Sequence, residues 1–582
     1  RHVEYTEKKD RSEMVSYINR WNIAPKPEDL EKYKAGEMVE PEKPIVYYID
    51  DAFPAEWRPY LKEGIEDWQR AFEAIGFKNA IVAKDYPKDD PDFNPDDIRY
   101  SCLRYASIQT ANAMGPSWTD PRSGEIINGS VYFYHDVLKL LHNWSFIQTS
   151  AVEPASRREV YTAEQMGPLL RYLVVHEIGH TLGLMHNMRS SYAYPVDSLR
   201  SKTFTDKYGT TPSVMDYARY NYVAQPGDGV TWLLPPRLGV YDYYSISWGY
   251  KPIYEAATPE DEKPVLNQWI KSHADDPMYW YGEQEFLTSI DPAAQTESLG
   301  DDAVKASEII MSHLDEWTAK DGENYKYTYE MYGEILKQFN RYMGHVMKYI
   351  GGNFLLYPVH GDGKQAFEPV TREKQKEALE FIYTKAAEMP QWLQNPDLLR
   401  KFEPSNPLVN DLQAAYIRNL ISTYPKVGYT SRLAENPYTV EEYIDDIYSL
   451  VFGKTIAGKQ LTLSDRNMEY AFVYSVFDYL GLLESPVSAK GFAADDIFAH
   501  GVEAIDDTWP CQHIGCGHAH AEENSLTAAR KESDIKIQGK AAFYATLLKI
   551  KKVVEKRASS AKGVDKTHYE YLAHEINKGL AK

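Results

Sequence analysis

The sequence predicts an α+β fold, a set of short strands with one long buried helix, continued by a mainly helical carboxy-terminal region. Three observations carry this. Short runs rich in β-forming residues recur between Ile45 and Tyr134, a helical pattern runs from Thr162 towards Gly183, and beyond about residue 253 strand-like runs fade while helical periodicity dominates. The chain divides on this reading into an extension and linker over 1–43, a sheet-bearing domain over 44–252 and a helical region over 253–582.

Residues 1–43 are charged. An alternating patch from Met14 to Ile23 suits a strand, and the Pro, Glu and Lys mixture from Pro25 to Pro44 reads as an extended linker. Ile45 to Ile49 is the first buried strand. From Pro54 to Ile75 the residues Trp57, Leu61, Ile65, Trp68 and Phe72 recur at helical spacing, and Gly76 ends the pattern. Ala80 to Ala83 gives a second strand. The acidic, proline-broken stretch Asp85 to Asp97 is a loop, and a candidate for calcium without the regular ligand spacing of a known calcium loop. Ile98 to Ile108 is a third strand holding Cys102, read as inert core. Ala113 to Thr119 and Ile126 to Tyr134 are strand-like and joined by the turn Asp120-Pro121-Arg122-Ser123-Gly124. His135 follows, either a structural histidine or an extra polar group in a cleft. Thr162 with Gln165 forms a capping box, and Met166, Leu169, Leu170, Leu173 and Val174 continue an apolar face. Leu238 to Tyr250 is the last helix of this domain.

The long helix leads into His176-Glu177-Ile178-Gly179-His180-Thr181-Leu182-Gly183-Leu184-Met185-His186. Residues four apart lie one turn apart on the same face, so His176 and His180 can present both imidazoles to one point. Neutral imidazole nitrogens at about 2.0–2.1 Å suit Zn²⁺, which in hydrolases takes three protein ligands and leaves a position for water. A continuing helix would carry His186 away from that point. Gly183 stands where the helix must stop, because a residue without Cβ enters the left-handed conformation cheaply and lets the chain double back. His186 then becomes the third ligand. Glu177 points about 100° round the helix, better placed beside the water than on the metal, as a general base. The plainer alternative is a set of core histidines on an amphipathic helix.

This constellation resembles the metzincin clan of zinc endopeptidases, whose extended zinc motif has the same spacing. The resemblance implies a twisted mixed sheet with an antiparallel edge strand, an active-site helix and a Met-turn beneath the metal. Ser213-Val214-Met215-Asp216-Tyr217 is similar to the Ser-x-Met-x-Tyr turn of the astacin and serralysin branches. That implies Met215 as a hydrophobic floor and Tyr217 as a switch ligand or hydrogen-bond donor to the transition state. In metzincins an extended substrate pairs with the edge strand by β-augmentation, a role that falls here to the neighbourhood of Met114 and Gly115. The chain is similar, more closely, to bacterial zinc-dependent metalloproteases with an uncharacterised amino-terminal region, a metzincin core and a long helical carboxy-terminal region. The phrases that carry this likeness are Lys43 to Asp50, Ala113 to Pro116, Ser213 to Tyr217 and Tyr222 to Gly229. It implies export to the periplasm, the cell surface or the medium. The sharper reading of Cys102, beside inert core, is a cysteine that silences the zinc.

The 582 residues exceed one average domain. With 43% hydrophobic, 26% charged and 13% aromatic residues, the composition argues against disorder. The net charge of -21 disfavours nucleic acid or an anionic membrane surface as partner, since both would be repelled. The longest apolar run, Ala471 to Leu483, is broken by Asp478 and too short for a span, so no transmembrane segment is expected. No charged-then-apolar leader follows Arg1, so a signal or lipidation segment, if the protein has one, lies outside this stretch. Carboxy-terminal helices are expected over Ala303 to Trp317, Tyr327 to Ile350, Glu373 to Ala387, Val440 to Phe452 and Asn467 to Leu483, with no repeat of fixed length. Three cysteines permit at most one intrachain disulfide. Cys511, His513, Cys516, His518 and His520 form a dense cluster whose spacing fits no standard zinc finger. A second metal site, a Cys511–Cys516 disulfide and a loop without a ligand all remain open.

The expected activity is zinc-dependent hydrolysis of peptide bonds in a protein or peptide substrate, with Glu177 as base. The rival class is a zinc-bearing binding protein for peptides or cell-surface glycans, its protease site occluded by the helical region.

Overall fold

The computed structural model describes residues 2–4, 10–158, 160–283, 290–311, 325–356, 358, 363–393, 396, 408–483 and 525–581. These fall into two compact units. The first runs up to residue 283 and takes in Ala293–Asp302; the second takes 290–292, continues from Ala303 to residue 483, and includes 525–581.

The first unit is built on a five-stranded sheet. In chain order the strands are β1 (Ile45–Ile49), β2 (Ile81–Asp85), β3 (Ser101–Ala106), β4 (Ala113–Met114) and, after the hairpin strands β5 (Ser117–Thr119) and β6 (Ile126–Gly129), β7 (Val131–Tyr134). The spatial order is β2-β1-β3-β7-β4. The first four run parallel; β4 alone is antiparallel, pairing Ala113 with Phe133 and Met114 with Tyr132 at the edge. This is the mixed sheet with an antiparallel edge that the resemblance implies. β1 alternates buried and half-buried positions, with Tyr47 fully buried.

One expected helix is two: α1 (Arg58–Glu66) and α2 (Gln69–Glu73). They break at Asp67-Trp68 because both residues are engaged elsewhere. Trp68 donates its Nε1–H to the carbonyl of Val175 at 2.8 Å, and Asp67 accepts both arms of Arg171 at 2.7 Å. A helix not anticipated, α3 (Val137–Thr149), follows β7. The long helix is α4 (Ala163–Thr181), opened by Gln165 accepting from the Thr162 backbone N–H; α5 (Val240–Tyr250) comes later, and Pro259–Ser272 is a further helix of this unit. The core between sheet and helices includes Tyr47, Trp68, Phe72, Val174, Ile178, Met215 and Ile246.

The stretch expected as an extended linker is packed instead. Leu30–Lys34 is helical, Val39 is buried and bridges Phe77, and the Tyr33 ring stacks on Phe77 at 4.8 Å. Few apolar anchors do this work, and the surrounding charges and prolines hide them in the sequence. Upstream, Glu13–Val15 pairs with His2–Glu4, and Arg20 bridges Glu125.

The second unit is mainly helical, as expected. Its helices include Ala303–Met311, Tyr325–Met347, Arg372–Leu393, Val440–Val451 and Leu463–Leu480, and others not foreseen, among them Leu408–Ser422, Ser525–Ala558 and Gly563–Leu580. Asn353–Leu355 and Phe367–Pro369 form a short antiparallel pair. No helix among the described residues is long and apolar enough to cross a membrane. The cluster Cys511, His513, Cys516, His518 and His520 lies outside the described residues.

Candidate metal centre

The end of α4 makes the site. Gly183 N–H bonds the carbonyl of His180 at 2.9 Å and Leu184 N–H that of Gly179 at 3.1 Å, the paired pattern of a helix closed by a left-handed residue. Gly183 has φ +86°. A Cβ there would also lie 2.0 Å from the carbonyl oxygen of Asn19, so the position excludes other residues twice over. Further carbonyls are capped by distant groups: Trp21 Nε1–H donates to Thr181 at 2.8 Å and the Tyr250 hydroxyl to Leu182 at 2.8 Å. The chain then doubles back, as the glycine requires, and brings His186 to the other two histidines.

His176, His180 and His186 offer ligand atoms that all lie within 4.8 Å of one another. Among the described residues no other group of three His, Cys, Asp or Glu side chains is so compact. His176 Nδ1–H donates to the Val214 carbonyl at 2.8 Å and His180 Nδ1–H to the Leu184 carbonyl at 3.0 Å. A carbonyl can only accept, so both rings carry their proton on Nδ1 and turn a lone pair on Nε2 inward. His180 Nε2 and His186 Nε2 stand 3.0 Å apart. Two nitrogens sharing a tetrahedral zinc at about 2.0–2.1 Å lie about 3.3 Å apart. His176 Nε2 is buried and has no hydrogen-bond partner. Burial, and next His180, push the His176 pKa well below the ordinary histidine value, which keeps that lone pair open. Three converging imidazoles, one of them with an orphaned buried nitrogen, fit a zinc ion.

Below the triad, the turn at Val214-Met215 seats Met215 under α4. A Cβ on Gly179 would stand 2.4 Å from the Met215 sulfur, so a glycine lets the methionine reach the helix between the two ligands. Asn187 N–H bonds the Met215 carbonyl at 3.1 Å, tying the residue after His186 to the same turn. Asp242 on α5 holds the turn from behind, accepting from Ser213 Oγ at 2.7 Å and from the Val214 and Gly239 backbone N–H groups at 2.8 and 2.9 Å. Tyr217 lies over the triad, its ring centre 4.4 Å from His186 and 5.1 Å from His176. Glu177 is buried beside His176. Gly115, next to edge strand β4, packs on the backbone of Glu177, as the 2.3 Å between a Cβ there and the Glu177 carbonyl shows.

Other candidates fall away from this centre. Cys102 is buried in β3, where burial pushes its thiol up to about 11. His135 Nδ1 meets the Tyr105 hydroxyl at 2.5 Å and is no part of the triad. The acidic stretch gathers no cation site: Asp85 pairs with Lys62, Asp96 with Arg104 and Asp97 with Arg99. Sequence reasoning missed Asp242 and Arg219. Arg219 stands two residues after Tyr217 with its guanidinium 4.3 Å from that ring centre, a nearness the motif itself could have signalled.

No curated protein and no solved structure matches the chain. A family model described as Met-zincin matches residues 158–458, more than half of the chain and the whole of the histidine motif and the Met215 turn, and the chain belongs to the Met-zincin family.

Proposed function

We propose that the chain is a zinc-dependent endopeptidase, with residues 44–252 as its peptidase domain, His176, His180 and His186 as metal ligands, Glu177 as general base and Tyr217 as a hydrogen-bond donor to the transition state. The convergence of three imidazoles on one point, with the buried His176 Nε2 lacking any other partner, carries this reading. Zinc bound there would polarise the scissile carbonyl and make a neighbouring water more acidic. Glu177 takes the proton of the attacking water and returns it to the leaving amine. Met215 supports the two helix-borne ligands from below. An extended peptide pairs with the free edge of β4, whose backbone gives affinity largely independent of side chain.

The test is digestion of a peptide library by the zinc-loaded protein, with a chelator control. Glu177→Ala keeps zinc and loses turnover by about 10²–10⁴-fold, whereas His180→Ala loses metal and turnover together. A zinc-loaded Glu177→Ala protein with full turnover would reject the assignment.

A further inference from the structure

Arg219 and Glu297 form a buried ion pair in the first unit. Both side chains are almost fully buried, at 5% and 1% exposure, with Nε and Oε1 3.4 Å apart. Both residues also hold left-handed backbone, at φ +58° and +62°, a region that favours glycine. A buried ion pair rarely out-stabilises an apolar pair of the same volume, and strained backbone persists where surrounding structure imposes it, often at functional sites. Such a pair calls for a local reason.

The reason lies on the faces of the guanidinium. One aromatic ring, Trp144 of α3, has its centre 3.8 Å from the guanidinium carbon, and the Tyr217 ring lies 4.3 Å from it. Tyr172, one turn before His176 on α4, engages the same cation. Burial works against the charge, yet Glu297 with the two tyrosines outweighs it and holds the group above its ordinary value. The planar cation thus lies between a wall of the unit and the ring that covers His186 and His176.

We propose that Arg219 and Glu297 are a positioning pair: the guanidinium fixes the Tyr217 ring over the three imidazoles, and Glu297, from a segment 78 residues downstream, fixes the guanidinium. The inference rests on the reading of Tyr217 as a transition-state donor. It makes residues Ala293–Asp302, beyond the peptidase domain proposed above, part of the working site.

The test uses the full zinc-loaded chain, a fluorogenic peptide taken from the library and a phosphinate analogue of that peptide. Arg219→Lys keeps the charge and loses the planar face; Glu297→Gln keeps the shape and loses the charge. Both are expected to retain zinc, to leave KM within about twofold, and to lower kcat by about a hundredfold, the effect of a displaced donor. Phosphinate affinity, read by calorimetry, falls in step. Added to Tyr217→Phe, Arg219→Lys costs nothing more. Where either single variant fails to fold, Arg219→Met with Glu297→Leu removes both charges, and that protein is expected to fold and bind zinc with kcat still low. Wild-type kcat in it, or wild-type kcat and phosphinate affinity in the singles while Tyr217→Phe is impaired, overturns the positioning pair and spares the Tyr217 reading. Wild-type kcat in Tyr217→Phe overturns both. A further large loss on adding Arg219→Lys to Tyr217→Phe shows that Arg219 acts by another route and also overturns the pair.

Discussion

His176 and His180 each give Nδ1–H to a main-chain carbonyl, of Val214 and Leu184, and those two bonds decide which nitrogen faces the metal. Rings fixed in this way need little rearrangement on binding a cation. Cys102 shows the opposite use of burial. Its thiol is pushed up to about 11, with desolvation as the main cause, and the thiolate is the form that attacks alkylating reagents or binds metal. At pH 8 in the native protein, Cys102 is expected to resist iodoacetamide, and to react fully once urea unfolds the chain. Peptide mass spectrometry reads this, and rapid native labelling would count against burial and restore the idea of a silencing cysteine. The triad and Gly183 were legible because they lie within eleven consecutive residues, where helix geometry alone sets directions. Glu297 was not, since its meaning depends on Arg219, 78 residues away, and no local pattern reports such a meeting.

At the scale of elements, α4 is the part that sequence reads best and tertiary contacts finish. Its capping box and apolar face are local; the capping of Thr181 and Leu182 by Trp21 and Tyr250 is not. A helix leaves its last carbonyls without partners, so the amino-terminal extension, through Trp21 in the patch expected as a strand, helps complete the end of the helix that carries His176 and His180. α3 escaped notice because most of its faces are buried, which blurs amphipathic periodicity. α5 supports the Met215 turn through one carboxyl group, Asp242, and this has a pH consequence. Burial lifts its pKa to about 7 despite three donors, against about 3.9 in the unfolded chain. The folded state therefore binds the proton more tightly. The stability due to this group is full below about pH 4 and falls as the pH rises towards 7, levelling above it. Asp242→Asn, which cannot titrate, is expected to cost less stability relative to the parent at pH 8 than at pH 5. Urea unfolding at the two values checks this, and an equal or larger cost at pH 8 would show that the three hydrogen bonds favour the carboxylate more strongly than burial opposes it.

The whole molecule has two compact units with separate cores, and the metal belongs to one of them. The first unit's sheet, helix and histidine site were readable from strand and helix patterns up to residue 250; the second unit's helices were readable, its role was not, since no cluster of ligating side chains marks it among the described residues. A ligand that binds only the native state stabilises it by RT ln(1 + [L]/Kd), about 4 kcal/mol when free zinc exceeds Kd a thousandfold. The three histidines come from an eleven-residue stretch that converges only when α4 ends at Gly183 and the return loop is tied to Met215, so the unfolded chain offers no comparable site. Zinc should therefore raise the unfolding temperature of the first unit and chelation should lower it. The second unit holds its own buried pair, His568 with Glu469 at 2.8 Å, and its helices pack without the metal. Calorimetry of the intact chain with zinc and with chelator is expected to show one endotherm that moves and one that stays. In His180→Ala neither should respond to zinc. An endotherm of His180→Ala that still shifts with the metal would mean that zinc is held by other groups, and the three-histidine assignment would fall with it.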